Sequence, residues 1–201
     1  MLITFEGIDG CGKSTQIGLL EEWLNRNGIE FSTFREPGGT ELSERIRELL
    51  LGAGQQIDPV TELLLFSAAR SQLITEKVKP LLDNGQIVLL DRFYDSTTAY
   101  QGYGRESVPL SQIQVLNRMA GHGLVPDITF YLQITIDEAE RRTASFEKDR
   151  MEKSGSGFFK KVKRGFDALS TGHPRFVILD ASQSREEIHD QLVQVVQNHL
   201  S

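Results

Sequence analysis

The sequence lacks the marks of secreted and membrane proteins. It has one cysteine, Cys11, so no internal disulfide can form, and this favours a reducing compartment. No segment approaches the run of roughly 18 apolar residues that a membrane helix needs. The stretch from Met1 to Glu6 has no basic region followed by an apolar one, so a secretory signal is not expected. These absences together predict a cytoplasmic protein with no membrane contact.

Positive charge is also scarce in this chain. There are 22 Lys and Arg against 28 Asp and Glu, a net charge of −6. Because a protein that coats nucleic acid neutralises phosphates with a basic surface, we expect no nucleic acid polymer as a partner. A local cluster of arginines could still hold a small polyanion, although any one arginine is more often a solvated surface residue. The candidates for such a cluster are Arg35, Arg70, Arg92, Arg105, Arg141, Arg142 and Arg150.

Short apolar runs alternate with segments of helical period along the chain. Strands are predicted at residues 2–5, 29–34, 87–90, 128–134 and 177–179, and helices at 13–27, 42–51, 60–82, 110–120, 137–145, 158–169 and 188–200. This alternation requires crossover connections, which build a parallel sheet covered on both faces. We therefore predict one α/β domain over residues 1–201, with a doubly wound, five-stranded parallel sheet flanked by helices.

A glycine-rich segment follows the first predicted strand and fits the phosphate-binding P-loop pattern G-x-x-x-x-G-K-[ST]. Its glycines let backbone N–H groups converge on phosphate oxygens, and the following helix N-terminus adds partial positive charge. Lys13 is expected to bridge the β- and γ-phosphates of ATP, the Ser14 hydroxyl to bind Mg²⁺, and Thr15 to bind the α-phosphate. The predicted ATP-binding residues of this loop are Gly7, Ile8, Asp9, Gly10, Cys11, Gly12, Lys13, Ser14 and Thr15.

A second phosphate-handling element follows the strand predicted at 87–90. That strand ends in Asp91, a carboxylate placed to bind near the metal ion, and Arg92 comes next. An arginine at this edge of the sheet can contact both an acceptor phosphate and the transferring group with bidentate geometry. The sequence contains neither the Asn-Lys-x-Asp of GTPases nor the Ser-Gly-Gly of transporter ATPases. A kinase with a small phosphorylated acceptor is therefore predicted.

Several further segments stand in order around these motifs. They read Phe5-Glu6-Gly7-Ile8-Asp9-Gly10, Arg35-Glu36-Pro37-Gly38-Gly39-Thr40, Leu65-Phe66-Ser67-Ala68-Ala69-Arg70, Asp91-Arg92-Phe93, Ser96-Thr97-Thr98-Ala99-Tyr100-Gln101-Gly102, Pro126-Asp127 and Asp180-Ala181-Ser182. With these segments the chain resembles bacterial thymidylate kinases, in the nucleoside monophosphate kinase group, over nearly its whole length. Each segment alone is a weak signal, but their order is specific.

The resemblance implies a P-loop NTPase fold, transfer of the γ-phosphate of ATP to dTMP, Mg²⁺ as the metal and a homodimer. It also implies an acceptor pocket in which the ring of Phe66 stacks on thymine and Arg70 bonds its carbonyl edge. The alternative interpretation of Phe66 is structural: because it lies in an apolar run, it can be a core residue of its helix. The other positions that resemble acceptor-binding residues are Glu36, Pro37, Arg92, Ser96, Thr97, Tyr100 and Gln101. For Ser96 and Thr97, local capping of a helix is an alternative.

Two features of the resemblance concern the phosphates. The P-loop carries no arginine, so the resemblance implies that a lid segment at about residues 145–157 supplies one, and Arg150 is the candidate. From composition alone this charged, Gly/Ser-rich segment is equally well a plain surface loop. Arg141 resembles the residue that packs on adenine. Asp9 and Glu36 both fall near the metal and acceptor, and the sequence does not rank them as metal ligands.

The predicted catalytic residues are thus Lys13, Arg92, Arg150 and Asp9. Two other functions stay open on the sequence. The first is a kinase for another nucleoside monophosphate, and the second is a non-catalytic ATP-binding switch. An intact Lys13, Asp91 and Arg92 argue against the switch.

Overall fold

A computed structural model describes residues 1–52, 56–145 and 150–200 of the chain. At its centre lies a five-stranded sheet in the order β2-β3-β1-β4-β5, with every neighbouring pair parallel. The strands are β1 Leu2–Glu6, β2 Phe31–Arg35, β3 Ile87–Asp91, β4 Ile128–Gln133 and β5 Phe176–Asp180. The predicted doubly wound α/β fold is confirmed.

The burial of each strand explains its sequence. β1, β3 and β4 lie inside the sheet and are buried almost throughout, because helices cover both faces. β2 and β5 lie at the edges and are only partly buried. This is why the central strands are predominantly apolar, which made them easy to predict.

Helices fill both faces of the sheet. The predicted single helix at 60–82 is one helical stretch in three parts, since a π-helical turn at Ile74–Val78 separates two α-helices. A second π-helical stretch, Thr98–Gly104, continues a short α-helix. The α-helices are α1 Lys13–Arg26, α2 Glu41–Leu51, α3 Pro59–Leu73, α4 Lys79–Asp83, α5 Tyr94–Thr97, α6 Leu110–Ala120, α7 Ile136–Thr143, α8 Ser156–Gly172 and α9 Arg185–Leu200.

The predicted lid segment falls partly outside the described residues, at 146–149. Its described part forms a 3₁₀ turn at Glu152–Ser154 and then enters α8, which begins inside the predicted segment. No helix within the described ranges is long and apolar enough to cross a bilayer.

The sheet topology determines where ligands can bind. β1 and β3 are adjacent, but the chain leaves β1 towards β2 on one side and leaves β3 towards β4 on the other. Between two such strands a crevice opens at their carboxyl ends. The P-loop follows β1 and Arg92 follows β3, so both phosphate-handling elements lie at this crevice.

Candidate active site

The loop after β1 has the backbone conformation of a phosphate cradle. Gly7 has φ +140°, and a Cβ there would lie 2.8 Å from the Leu132 carbonyl oxygen, so only glycine fits. Gly12, with φ 99°, ends the loop directly before α1. The Lys13 side chain is buried and its Nζ donates to the Gly7 carbonyl oxygen at 3.2 Å. The backbone amides at the start of α1 and this ammonium group together form an anion site.

Ser14 and Asp91, the predicted metal ligands, lie next to each other. The Ser14 hydroxyl donates to Asp91 Oδ2 over 3.4 Å. Asp91 Oδ1 is buried and has no hydrogen-bond partner among the described residues. The described ranges contain no cluster of three or more His, Cys, Asp or Glu side chains that could hold a metal. Mg²⁺ does not require such a cluster. It usually takes only one or two oxygen ligands from the protein and completes its coordination with water and substrate phosphates, so Ser14 and Asp91 fit it.

Arg92 lies at the centre of the crevice in a rare backbone conformation. Its φ is 73°, in the left-handed region that non-glycine residues seldom adopt. Its guanidinium donates to the Gly7 carbonyl oxygen at 2.9 Å and pairs with Asp9 Oδ1 at 2.5 Å. Partial burial opposes the shift, but Arg92 and then Lys13 lower the pKa of Asp9 below its ordinary value. The Tyr100 hydroxyl donates to the other Asp9 oxygen over 3.4 Å.

A buried glutamate supports the turn that carries Arg92. Glu6 Oε1 accepts from the Phe93 backbone N–H at 2.8 Å, and Oε2 accepts from the Ser96 hydroxyl at 2.6 Å. Ser96 in turn accepts from Arg92 Nη1 at 3.1 Å. Burial, and then the neighbouring Asp95, raise the pKa of Glu6 to about 8. Ser96 therefore lines the pocket and also holds Arg92 in place.

A cleft of about 1200 Å³ opens over the P-loop. It is wide and polar, as a site for a triphosphate must be. It is lined by Asp9, Gly10, Gly12, Lys13, Ser14, Thr15, Arg35, Glu36, Arg47, Asp91, Arg92, Arg142 and Thr143.

A second cavity of about 600 Å³ lies on the other side of Asp9 and Arg92. All nine predicted acceptor-binding residues line it, so the structure brings together residues that are up to 65 positions apart, from Glu36 to Gln101. Its walls are Asp9, Glu36, Pro37, Arg47, Leu51, Phe66, Arg70, Arg92, Ser96, Thr97, Tyr100, Gln101 and Met151.

The floor of this cavity carries a buried ion pair. Arg70 and Glu36 meet at 2.7 Å, and Arg70 Nη2 also donates to Thr97 Oγ1 at 2.9 Å. Burial raises the pKa of Glu36, and the charge of Arg70 works against this rise. Arg70 Nη1 and Glu36 Oε1 are buried without hydrogen-bond partners in the described part of the chain. Such atoms at a cavity wall are the ones a ligand can satisfy.

Aromatic rings form two of the cavity walls. Phe66 packs against the apolar cluster of Ile46, Leu50 and Ala69 and also faces the cavity, so both interpretations of this residue hold together. Tyr100 makes edge-to-face contacts with Phe158 and Phe159 of α8, at 6.0 Å and 6.4 Å between ring centroids. A planar ligand between these walls would meet apolar surface on its faces and polar groups at its edge.

Known proteins share this architecture along almost the whole chain. A model of the thymidylate kinase family matches residues 5–192. The chain belongs to the thymidylate kinase family. It is 45% identical to the thymidylate kinase of Thermoanaerobacter sp. (strain X514), covering 98% of both chains. It is 48% identical to that of Chlorobium limicola, covering 96% of this chain and 93% of the relative. The crystal structure of thymidylate kinase from Ehrlichia chaffeensis superimposes with a TM-score of 0.79 at 36% identity, covering 98% of each chain.

Within this thymidylate kinase fold, Arg150 lies beside the acceptor cavity. Its Nη2 pairs with Glu62 Oε2 at 2.6 Å, and its Nε donates to the Leu50 carbonyl oxygen at 2.7 Å. Among the described residues, Arg150 forms no hydrogen bond or ion pair with the P-loop. Its predicted contact with the phosphates stays a prediction, and it requires that Arg150 leave Glu62.

The structure places the two adjacent arginines of α7 differently. Arg141 is 77% exposed and pairs with Glu138. Arg142 lines the cleft over the P-loop and donates to the Ala181 carbonyl oxygen at 2.9 Å. The adenine contact of Arg141 stays a prediction, and of the two arginines only Arg142 lines the cleft over the P-loop. A signal existed in the sequence, because Arg142 is three residues from the buried Ala139 and so shares its helix face.

Sequence reasoning missed several other residues near the thymidylate kinase site. Arg47 lines both cavities and donates to the Pro37 carbonyl oxygen at 2.9 Å. Met151 lines the acceptor cavity. Glu62 is almost fully buried, with a side chain 1% exposed. The sequence does carry an indication of Glu62, because this charged residue lies four positions before Phe66 and so on the same face of a largely apolar helix.

Proposed function

We propose that this protein transfers the γ-phosphoryl group of ATP to dTMP, giving dTDP and ADP. The observation that carries the proposal is the shared wall between the two cavities. Asp9, Glu36, Arg47 and Arg92 line both the cleft over the P-loop and the acceptor cavity. A donor phosphate in the first and an acceptor phosphate in the second would therefore meet at the Arg92 guanidinium.

The chemistry follows from this placement. Phosphoryl transfer passes through a loose transition state, so positioning and charge stabilisation matter more than covalent catalysis. We infer that Lys13 holds the donor phosphates and that Arg92, freed in part from Asp9, contacts the acceptor phosphate. The acceptor oxygen is already anionic, so no general base is needed. Arg70, Phe66 and Tyr100 would hold the nucleoside at the far end of the cavity.

Mg²⁺ is the metal that the donor set fits. We propose that the Ser14 hydroxyl and Asp91 hold it, the latter through the buried Oδ1 that has no partner within the described ranges. When bound, the ion would neutralise charge on the donor phosphates. Asp9 is an alternative metal ligand, but its pairing with Arg92 at 2.5 Å favours a role in orienting that arginine.

The proposal is tested by following ADP release with ATP, Mg²⁺ and a panel of nucleoside monophosphates. We expect strong preference for dTMP over the uridine, cytidine and guanosine monophosphates. Equal or better turnover of another monophosphate would keep the phosphotransferase and discard this acceptor. ATP binding without turnover of any monophosphate would favour the non-catalytic switch.

We further propose that the protein works as a homodimer through α3 and α6. These helices pack against each other and expose large apolar side chains, among them Leu64 at 51%, Val115 at 66% and Met119 at 65%. Apolar side chains grouped on neighbouring helices commonly mark an interface. Light scattering should give twice the chain mass, and Val115→Glu with Met119→Glu should give a monomer. Leu200→Glu, at the end of α9, is the control. A monomeric unmodified chain would contradict the proposal.

A further inference from the structure

Glu62 is a buried carboxylate with three side-chain partners among the described residues. Its Oε1 accepts from Gln101 Nε2 at 3.0 Å and from Arg105 Nε at 3.2 Å. Its Oε2 pairs with Arg150 Nη2 at 2.6 Å. Glu62 does not line the acceptor cavity, whereas Gln101 does. Any effect of Glu62 on a bound nucleotide must therefore pass through a neighbour.

The neighbour that can transmit such an effect is Gln101. A glutamine amide has a donor end and an acceptor end of nearly equal shape, and its partners decide which way it turns. Glu62 forms ion pairs with Arg105 and Arg150, and a carboxylate can only accept hydrogen bonds. The amide nitrogen of Gln101 must therefore face Glu62. Its carbonyl oxygen is then the atom that Gln101 can present to the cavity.

The polar edge of the cavity thus carries a defined pattern. Arg70 Nη1 is a buried donor without a partner among the described residues, and Gln101 Oε1 is an acceptor. A pyrimidine with a 4-carbonyl and an N3–H matches this pair, oxygen to donor and N–H to acceptor. A 4-amino pyrimidine presents the opposite pattern, an amino donor and a bare N3 acceptor, and would leave buried groups unpaired.

We propose that Glu62 is the residue that determines this base specificity, because it fixes the Gln101 amide in the orientation that accepts from N3–H. This assignment rests on the proposed function, since it requires that the cavity bind a pyrimidine monophosphate. Glu62 is a positioning residue, and it acts on the base only through Gln101.

The test uses two substrates that differ at the base edge alone, dTMP and 5-methyl-dCMP. Both carry the same 5-methyl group, and only the 4-substituent and the N3 proton differ. In Glu62→Gln, position 62 can donate as well as accept, so the Gln101 amide can turn either way. We expect the ratio of kcat/KM for dTMP over 5-methyl-dCMP to fall by about tenfold, which lies within the usual cost of leaving a buried polar group unpaired. The KM for dTMP should rise more than its kcat falls.

Two further variants separate amide orientation from general loss of packing. Gln101→Met removes the acceptor while leaving Glu62 with both arginines, and should lower the same ratio. Arg105→Met removes another partner of the same Glu62 oxygen without touching Gln101, and should leave the ratio unchanged. Thermal unfolding and ATP affinity show that each variant is folded. Because Gln101→Met does not alter Glu62, it tests base reading even if Glu62→Gln fails to fold.

Three results would contradict the role of Glu62. An unchanged ratio in folded Glu62→Gln, or in Gln101→Met, would overturn the assignment. So would a fall in Arg105→Met as large as that in Glu62→Gln, because specificity would then follow the charge network. If the unmodified chain turns over dTMP and the ratio still does not respond, this assignment alone fails. If the unmodified chain does not turn over dTMP, the proposed function fails with it.

Discussion

Arg70 and Glu36 form an ion pair 2.7 Å long in which the side chains are only 2% and 4% exposed. Glu36 follows β2 and Arg70 lies on α3, so the pair ties the edge of the sheet to a helix under the acceptor cavity. Two charges buried together are stable only while each has the other, because neither has water to replace its partner. The wall of the cavity thus depends on both residues at once.

Arg70→Met should therefore destabilise the protein by about 3–5 kcal/mol, because it leaves Glu36 buried without its partner. The double variant Arg70→Met with Glu36→Gln should be less destabilised than Arg70→Met alone, since no unpaired charge remains. Equilibrium unfolding in urea measures both values. A double variant that is less stable than the single one would show that the pair does not act as a unit.

Arg92→Lys should lower kcat/KM for dTMP by at least about tenfold. Arg92 Nη1 donates to both the Gly7 carbonyl and Ser96, and Nη2 donates to Asp9. An ammonium group cannot make these contacts together. Arg45→Lys, an exposed change on α2, controls for the substitution itself. Steady-state kinetics at several dTMP concentrations give the answer, and equal kcat/KM in both variants would remove Arg92 from the reaction.

Arg150→Ala should lower kcat by more than about tenfold while leaving the KM for dTMP nearly unchanged, if this arginine closes on the phosphates. In the structure it pairs instead with Glu62, so it must exchange one partner for another during the cycle. Initial rates at saturating ATP separate the two parameters. Unchanged turnover would show that Arg150 serves only to hold Glu62.

Glu6→Gln should change how stability depends on pH. The pKa of Glu6 is raised from 4.5 to about 8, by burial first and by Asp95 next. A raised pKa favours the folded state while the group is protonated, so this contribution is complete below about pH 4.5 and is lost as pH rises through about 8. The variant does not titrate at this position. The melting temperature of the variant minus that of the unmodified protein should therefore increase between about pH 5 and pH 8.

The control for that experiment is the loss of one carboxylate at the surface. Glu41→Gln, at a side chain 84% exposed, removes the same charge without a buried site. If the difference in melting temperature between Glu6→Gln and the unmodified chain is the same at pH 5 and pH 8, Glu6 does not titrate in this range.

The sequence predicts the central sheet and the phosphate cradle well because both are local in the chain. β1, β3 and β4 are predominantly apolar, and the P-loop is one uninterrupted segment. The acceptor cavity is different, since its groups come from separate elements and only the resemblance placed them. The sequence does not predict how each side chain of the cavity is oriented. Nothing in the local pattern predicts that Glu62 holds Gln101, or that a π-helical stretch carries Tyr100 and Gln101 into the cavity wall.

The two cavities are built from different kinds of secondary structure. In the proposed function, the phosphate groups are handled by residues at the end of β3 or at the start of α1, such as Asp91, Arg92 and Lys13. The base is met by residues further along the helical segments, such as Phe66 and Gln101. The sheet positions the phosphate-handling residues, whereas Phe66 and Gln101 are not part of it. Acceptor preference can therefore be redesigned, or can diverge in evolution, through a few helical side chains while the transfer chemistry is inherited unaltered.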